Sequence, residues 1–260
     1  MVGAVSSPSA AALLPLVVEA GEIARAHFRN VVAERKADRT LVTAADRAVE
    51  TFLVERLAAL LPGVRILGEE FGAVGAATAP RTVTIDPIDG TAAFVAGLPT
   101  WCVTIGWLRN GVPEGGITHL PITGETYVAA GGRASWNGRA IPKGARAVAE
   151  GDRFVVTYSG YRRGEAAAFP GKVRALGSTA YHMALVARGA AFGALLGRPH
   201  VWDVTAGAAL LAAVGGTLCY GSGEAVDLAA LLGGERSAEQ MVAASPGALD
   251  DLLAMAGGTR

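Results

Sequence analysis

The sequence predicts a chain of mixed α and β structure whose two halves differ in character. Between residues 101 and 138, short apolar segments are separated by turn signals such as Asn110-Gly111, a pattern typical of antiparallel hairpins. After residue 150, strand-like and helix-like segments alternate, which favours an α/β arrangement. We therefore expect an α+β domain over residues 1–150, with helices packed on an antiparallel sheet, and an α/β domain over residues 151–260.

In the first half, two helices precede the hairpins. Apolar residues at helical spacing predict a helix over residues 10–28, with Ser7-Pro8 at its start. A second helix is expected to begin near Thr43, with Asp46 as its capping-box partner, and to end at Pro62-Gly63. The strands expected in this half are residues 64–67, 81–85, 101–108, 112–120 and 125–130.

In the second half, glycines mark the ends of two helices. Gly189 ends a predicted helix over residues 178–188, and Gly215-Gly216 ends another over residues 205–214. A last helix is expected over residues 246–255. The strands expected between these helices are residues 154–157, 173–176, 191–196, 217–220 and 241–244.

Composition excludes several classes of protein. Lys plus Arg and Asp plus Glu both number 23, so the net charge is zero and no basic field suggests a nucleic-acid partner. No stretch approaches the roughly 20 apolar residues that span a bilayer, and the apolar run near the N-terminus lacks a preceding basic segment, so we expect neither membrane insertion nor a signal peptide. Two cysteines form no disulfide framework and indicate the reducing cytoplasm.

The stretch from Asp86 to Thr91, with the sequence Asp-Pro-Ile-Asp-Gly-Thr, carries the strongest chemical signal. It follows a β-branched strand, and Pro87 stiffens the corner that holds Asp86, the carbonyl of Ile88 and Asp89. Hard cations such as Mg²⁺ prefer oxygen ligands of this kind. The N–H groups at the turn after Gly90 suit a phosphate. Taken alone, two aspartates at this spacing favour a solvated turn capped by Asp89 over a metal site.

Two further acidic stretches change this balance. Glu69 and Glu70 follow Gly68 after a strand, and Asp203 lies in the segment from Trp202 to Gly207. Taken singly, the glutamates fit a solvated loop and Asp203 fits a helix cap. If the strand ends converge, however, Glu69, Asp86, Asp89 and Asp203 would share one pocket, where bound cations would compensate their charges. Two neighbouring divalent ions suit in-line phosphoryl displacement.

The three stretches together resemble the signature motifs of the inositol monophosphatase family, which comprises lithium-sensitive, Mg²⁺-dependent phosphomonoesterases. The order and spacing match along nearly the whole chain, and Lys36, residues 41–43, Asp46, residues 137–138 and residues 177–180 fit the same pattern. The resemblance implies a layered α-β-α-β-α sandwich of the inositol monophosphatase and fructose-1,6-bisphosphatase type.

The resemblance also implies metal ligands. Glu69, Asp86 and the carbonyl of Ile88 would bind the first Mg²⁺ ion, and Asp86, Asp89 and Asp203 would bind the second. A third, weaker ion would lie near Glu69, with Glu70 in its outer shell. Two to three Mg²⁺ ions are therefore expected.

The resemblance further implies catalytic and phosphate-binding residues. Thr91, hydrogen-bonded to Asp46, would orient and deprotonate the attacking water, and Glu70 is the third residue expected to act in catalysis. The phosphate would lie against Asp89, Gly90 and Thr91, with the last two donating backbone N–H groups. Pattern alone would make Asp46 an ordinary helix-cap carboxylate.

The substrate side departs from inositol-selective members. Those members carry a glutamate shortly before the Trp-Asp motif, whereas residues 195–201 here contain no acid, and residues 158–172 form a shorter segment. We assign the substrate side to Thr179, Arg162, Leu196 and His200, with Arg162 and Arg163 as candidates for an anionic group.

The resemblance leads us to expect a phosphomonoesterase that hydrolyses a small polyol or sugar phosphate, such as inositol monophosphate, through in-line attack of a metal-activated water. Histidinol phosphate and fructose 1,6-bisphosphate are alternative substrates. A non-catalytic scaffold with the same fold is the alternative from another class, although every predicted acidic ligand and Thr91 are present. Relatives are commonly dimers, so we expect a homodimer.

Overall fold

A computed structural model describes residues 8–37, 40–144, 153–161 and 171–257. The helices in this part of the chain are α1 (Ala10–His27), α2 (Ala44–Leu60), α3 (Thr91–Val95), α4 (Thr179–Ala187), α5 (Val201–Val214) and α6 (Leu249–Gly257). The strands are β1 (Ala33–Arg35), β2 (Leu41–Thr43), β3 (Arg65–Gly68), β4 (Gly72–Val74), β5 (Arg81–Asp89), β6 (Cys102–Arg109), β7 (Val112–Leu120), β8 (Glu125–Ala130), β9 (Arg133–Trp136), β10 (Arg139–Ile141), β11 (Phe154–Thr157), β12 (Lys172–Arg174), β13 (Gly193–Leu195), β14 (Thr217–Tyr220) and β15 (Met241–Ala244).

Two large sheets organise the described residues. The first has eight strands in the order β10-β9-β8-β7-β6-β5-β3-β4 and is antiparallel except where β3 runs parallel to β5. The second has five strands in the order β12-β11-β13-β15-β14, with β11 parallel to both neighbours. The strands β1 and β2 form a separate hairpin. The predicted domain boundary at residue 150 falls within 145–152, outside the described residues.

The elements stack in five layers. The helices α1 and α2 cover one face of the eight-stranded sheet, α4 and α5 lie between the two sheets, and α6 packs on the outer face of the five-stranded sheet. Successive residues of a strand pack against different layers. In β11, Val155 packs with α6, whereas Val156 packs with the helices of the central layer. The predicted layered α-β-α-β-α sandwich is confirmed.

Local signals place most of these elements where the sequence predicts them. Asn110-Gly111 has φ values of 50° and 80°, and Asn137-Gly138 has φ values of 48° and 74°. Positive φ at both central residues matches the twist of a tight hairpin. Thr43 caps α2 as predicted, and its hydroxyl accepts the N–H groups of Ala45 and Asp46.

The boundaries of several elements differ from the prediction. Ser9, rather than Ser7, is the N-cap of α1, and Ser7 lies outside the described residues. The helix α5 begins at Val201 instead of residue 205, and α6 begins at Leu249 instead of residue 246. The hairpin of β1 and β2 was not predicted, because three-residue strands leave too short an alternation to detect.

Two glycines let α5 approach the eight-stranded sheet closely. Gly106 of β6 pairs with Gly116 of β7, and both lie beneath α5. A Cβ built on Gly106 would lie 2.4 Å from Thr205 Cγ2, and one on Gly116 would lie 2.4 Å from the Cα of Ala206. Any side chain here would push the helix away, so these glycines fix the position from which α5 presents Asp203.

None of the helices described is both long and apolar enough to cross a bilayer.

Candidate active site

Strand β5 carries both aspartates of the hexapeptide into the interior. We expected the strand to end at Ile85, but it continues to Asp89, and its pairing with β6 shifts register between Asp86 and Asp89. Pro87 lies in this irregular step, where its missing N–H costs no ladder hydrogen bond. Asp86 and Asp89 are consequently buried, with 2% and 7% of their surfaces exposed.

Gly90 turns the chain from β5 into the short helix α3. Its φ is 95°, in the left-handed region that favours glycine. A Cβ built on it would also lie 3.0 Å from the carbonyl oxygen of Gly177, just before α4. Backbone conformation and close approach therefore both favour glycine here. Thr91 comes directly after Gly90, as the first residue of α3.

Asp46 is fully buried in the first turn of α2, and its two carboxylate oxygens have different partners. Oδ2 accepts the N–H of Thr43 at 2.8 Å and the Thr43 hydroxyl at 2.6 Å. Oδ1 faces the Thr91 hydroxyl at 3.4 Å, while that hydroxyl also lies 3.1 Å from the carbonyl oxygen of Ile88. Asp46 is therefore both the helix cap and the partner of Thr91.

Glu69 and Glu70 lie on the loop between β3 and β4, where Lys36 contacts both. Lys36 Nζ lies 2.9 Å from Glu69 Oε1 and 2.5 Å from Glu70 Oε1. Burial lowers the pKa of Lys36, but the two carboxylates outweigh it and the net shift is upward. Burial raises the pKa of Glu70 to about 7, against the opposing effect of Lys36.

Glu50, in the middle of α2, holds the backbone of this acidic loop. Its side chain is fully buried, and its two oxygens accept the N–H groups of Glu70 and Phe71, each at 2.8 Å. Sequence reasoning missed Glu50, because it reads as one polar residue of an amphipathic helix. Its spacing of four from Asp46, on the face that carries buried Val49 and Leu53, is the signal that points to it.

Asp89 connects the end of β5 to the start of α4. Its Oδ2 accepts the Ser178 hydroxyl at 2.8 Å and the N–H of Ala180, and its Oδ1 accepts the N–H of Thr179 at 3.1 Å. Burial raises the pKa of Asp89 to about 6, although these hydrogen bonds act in the opposite direction. This carboxylate therefore joins the eight-stranded sheet to helix α4.

Asp203 occupies the first turn of α5, where Oδ2 accepts the N–H of His200 at 2.8 Å. The His200 ring stacks on Trp202, with ring centroids 4.6 Å apart, and its Nδ1 lies 2.9 Å from the carbonyl oxygen of Gly234. The sequence left open whether Asp203 caps the helix or lines a site. The structure shows both the cap and a place in the pocket wall.

One cavity of about 640 Å³ contains most of the predicted site. The predicted residues that line it are Glu69, Asp86, Ile88, Asp89, Gly90, Thr91, Thr179, Leu196, His200 and Asp203. Asp46 lies behind Thr91 and Glu70 lies beside Glu69, so both contact the lining without forming it. Arg162 and Arg163 lie outside the described residues.

The cavity also contains residues to which the sequence assigned no role. Arg35, Tyr158, Arg198 and Arg236 contribute to its wall. His182 of α4 is 2% exposed and also lines the cavity. Its Nε2 accepts the N–H of Leu176 at 3.2 Å, and burial lowers its pKa to about 4.

The acidic groups raise one another's pKa values. Burial, followed by the charges of Glu69 and Asp89, raises the pKa of Asp86 well above its ordinary range. Burial, followed by the charges of Asp89 and Glu69, does the same for Asp203. The shifts have one cause in common, since these carboxylates line the same cavity, where positive charge is favourable.

No group of three or more His, Cys, Asp or Glu side chains in the described part of the chain is arranged to hold a metal ion directly. Two of the carboxylates have other partners here, because Lys36 pairs with Glu69 and the start of α4 donates to Asp89. The donor chemistry nevertheless fits a hard cation. The site supplies oxygen atoms, and within the described ranges the buried Asp86 Oδ1 has no hydrogen-bond partner.

Comparison with known proteins finds relatives over most of the chain. The sequence profile of the Inositol monophosphatase family matches residues 6–256. A probable inositol 1-monophosphatase, ImpA, of Mycobacterium tuberculosis is 37% identical over 206 residues, which are 72% of this chain and 73% of the relative. A histidinol-phosphatase of the same organism is 39% identical over 125 residues, 47% of this chain and 48% of the relative.

A solved structure supports the same assignment. The IMPase of Thermotoga maritima superimposes with a TM-score of 0.83 at 25% identity, and the match covers 94% of each chain. The profile match, the full-length structural likeness and the motif residues gathered in one cavity lead to one conclusion. The chain belongs to the inositol monophosphatase family.

Proposed function

We propose that this phosphoric monoester hydrolase requires Mg²⁺ and acts on a small polyol or sugar phosphate, such as inositol monophosphate. The observation that carries the proposal is the single cavity that holds Glu69, Asp86, Asp89 and Asp203 next to Thr91. Such an arrangement combines oxygen ligands for hard cations with a hydroxyl placed to contact a water.

In this proposal, Glu69, Asp86, Asp89, Asp203 and the carbonyl of Ile88 would hold two Mg²⁺ ions, and a third, weaker ion would lie near Glu69 with Glu70 in its outer shell. When bound, the ions would supply positive charge that neutralises the phosphate oxygens and makes a water more acidic. Asp86 is central because it would belong to both main ligand sets, and its buried Oδ1 has no hydrogen-bond partner among the described residues.

Thr91 and Asp46 move the proton of the attacking water. The water oxygen forms a bond to phosphorus while one of its protons passes to Thr91 Oγ1. The proton of Thr91 passes to Asp46 Oδ1, 3.4 Å away. The P–O bond to the alcohol breaks, and the leaving oxygen takes a proton from a second water. The hydroxide formed from that water then takes the proton held by Asp46, which returns the carboxylate to its starting state. Burial raises the pKa of Asp46, which favours its protonated form during this step.

The chain also orients the substrate. The N–H groups of Gly90 and Thr91 donate to phosphate oxygens beside Asp89. Thr179 and Leu196 contact the alcohol part of the substrate, because both line the cavity near the start of α4 and the end of β13. His200 forms the neighbouring wall.

Histidinol phosphate is the less well-supported substrate. A relative with that activity matches about half of this chain, but a cationic amine needs a carboxylate partner beyond the metal ligands. Residues 195–201 contain no acid, and Arg198 contributes a positive charge there instead. Fructose 1,6-bisphosphate stays an alternative, since its second phosphate suits the arginines that line the cavity, Arg35, Arg198 and Arg236.

A homodimer and a cytoplasmic location remain predictions from the sequence. Size-exclusion chromatography with light scattering tests the dimer, and the mass measured for the eluted protein should be twice the chain mass of 26.4 kDa.

Phosphate release tests the proposed function. The purified protein, freed of metal with EDTA, should hydrolyse inositol monophosphate only after Mg²⁺ is restored. Asp86→Asn should lower kcat by several orders of magnitude, because the shared ligand is lost. Asp251→Asn, on the exposed face of α6, is the matched control and should retain normal turnover. Near-normal Mg²⁺-dependent turnover by Asp86→Asn would defeat the proposal.

A further inference from the structure

The candidate site has a basic wall that the metal chemistry does not use. Arg35, Arg198 and Arg236 all line the cavity that contains Glu69 and Asp203. In the proposed function, four carboxylates balance the charge of two Mg²⁺ ions. Arg236 lies close enough to Asp203 for its charge to lower the pKa of that carboxyl, against the larger upward effect of burial. Arg198 therefore is the arginine of this wall that we consider for binding the substrate.

Backbone contacts hold Arg198 in this wall. Its Nε donates to the carbonyl oxygen of Ser237 at 2.8 Å, and Arg236 Nη1 lies 3.4 Å from the carbonyl oxygen of Arg198. The two segments that carry the arginines are also tied to each other, because Ser237 N donates to Pro199 O at 2.8 Å and Met241 N donates to Gly197 O at 2.8 Å.

These contacts orient the guanidinium without neutralising it. The bond from Nε to Ser237 fixes the plane of the Arg198 side chain, and its partner is an uncharged carbonyl. Arg198 forms no ion pair with a carboxylate among the described residues. A guanidinium fixed in this way presents its remaining N–H groups as a fork, which matches the two oxygens of a carboxylate or phosphate.

We propose that the substrate carries a second anionic group, a phosphate or a carboxylate remote from the scissile phosphate, and that Arg198 binds this group with Arg236 beside it. The proposal rests on the proposed phosphatase function and narrows its substrate class to phosphates that carry a second anion, so that inositol monophosphate, which has none, would be the poorer substrate. It makes Arg198 a specificity-determining residue, located where residues 195–201 contain a cation and no acid.

Matched substrate pairs test the proposal. Glycerol 3-phosphate and 3-phosphoglycerate differ by a carboxylate, and fructose 1-phosphate and fructose 1,6-bisphosphate differ by a phosphate. The wild-type protein with Mg²⁺ should show a higher kcat/KM for the second member of at least one pair. The pair that shows the preference identifies the chemistry of the second anion.

Arg198→Met removes the fork while preserving an apolar stem, and Arg139→Met on exposed β10 is the matched control. We expect Arg198→Met to lower kcat/KM for the preferred dianionic substrate roughly tenfold to a hundredfold, the range for a charge-assisted hydrogen bond. The loss on the corresponding monophosphate should be clearly smaller, and Arg139→Met should leave the activity on both members of the pair unchanged. Arg198→Lys keeps the charge without the forked N–H groups, so its kcat/KM for the dianionic substrate should lie between those of the wild type and Arg198→Met.

The outcomes separate this proposal from the proposed function. If the wild type prefers the monophosphates, or if Arg198→Met lowers activity on both members of a pair equally, the second-anion site is overturned and the phosphatase stands. If neither these substrates nor inositol monophosphate releases phosphate with Mg²⁺, both are overturned. An unchanged thermal unfolding midpoint in Arg198→Met excludes misfolding as the cause of a loss.

Discussion

Asp46→Asn separates the two tasks of a single carboxylate. In the structure, Oδ2 caps α2 through bonds of 2.8 Å to Thr43 N and 2.6 Å to the Thr43 hydroxyl, whereas Oδ1 faces the Thr91 hydroxyl at 3.4 Å. An asparagine can keep its oxygen at the cap. Its NH₂ group would then face Thr91 as a donor and could not accept the proton of that hydroxyl.

The expected magnitudes differ for the two tasks. The free energy of unfolding should change by less than about 1 kcal/mol, because an oxygen still accepts the N–H of Thr43. The kcat should fall about 10²- to 10⁴-fold, the usual contribution of a positioned general base. Thr43→Ala is the complementary control: it should cost about 1 kcal/mol of stability by removing the cap hydroxyl, and it leaves the pair of Thr91 and Asp46 in place.

Urea denaturation and steady-state phosphate release measure the two effects on the same preparations. If Asp46→Asn retained kcat within threefold of the wild type, Asp46 would be only a helix cap and the proton relay through Thr91 would be wrong. If it lost stability and activity together, by the amounts seen in Thr43→Ala, the same conclusion would follow.

Three further perturbations follow from the structure. Gly106→Val would place side-chain atoms where Thr205 now packs, so we expect about 1–3 kcal/mol of destabilisation and reduced activity through displacement of Asp203; unchanged denaturation would contradict this. Burial lowers the pKa of His182 to about 4, below its unfolded value near 6.5, so its contribution to the free energy of unfolding is lost as pH falls. Between pH 7 and pH 5 the free energy of unfolding of the wild type should fall by about 2 kcal/mol more than that of His182→Gln. Parallel plots of unfolding free energy against pH for the two proteins would refute this. Mg²⁺ at a hundred times its dissociation constant should stabilise the wild type by about 2.7 kcal/mol and should not stabilise Asp86→Asn; an equal rise in thermal midpoint for both would argue against an ion at Asp86.

The fold could be predicted largely from local signals. Asn-Gly turns, the cap at Thr43 and alternating apolar residues depend on neighbours in the sequence, and the structure places hairpins and α2 accordingly. The start of α5 was missed, because Val201 and Trp202 begin the helix without a conventional N-cap residue and His200 occupies that position.

The site was predictable only where motifs carry the chemistry. The hexapeptide and the two acidic stretches identified the residues that line one cavity, including Asp203 more than a hundred positions after Asp89. Glu50 and Arg198 escaped detection for a physical reason. Each acts through contacts formed between distant segments, Glu50 with the loop at Glu70 and Arg198 with Ser237, and no local pattern records such contacts.

Crystals soaked in Mn²⁺, a Mg²⁺ substitute with measurable anomalous scattering, test the central claim most directly. The account predicts anomalous peaks in the cavity, bound by Asp86 together with Glu69, Asp89 or Asp203. A cavity with no anomalous peak within coordinating distance of Asp86, in crystals that contain Mn²⁺, would contradict it.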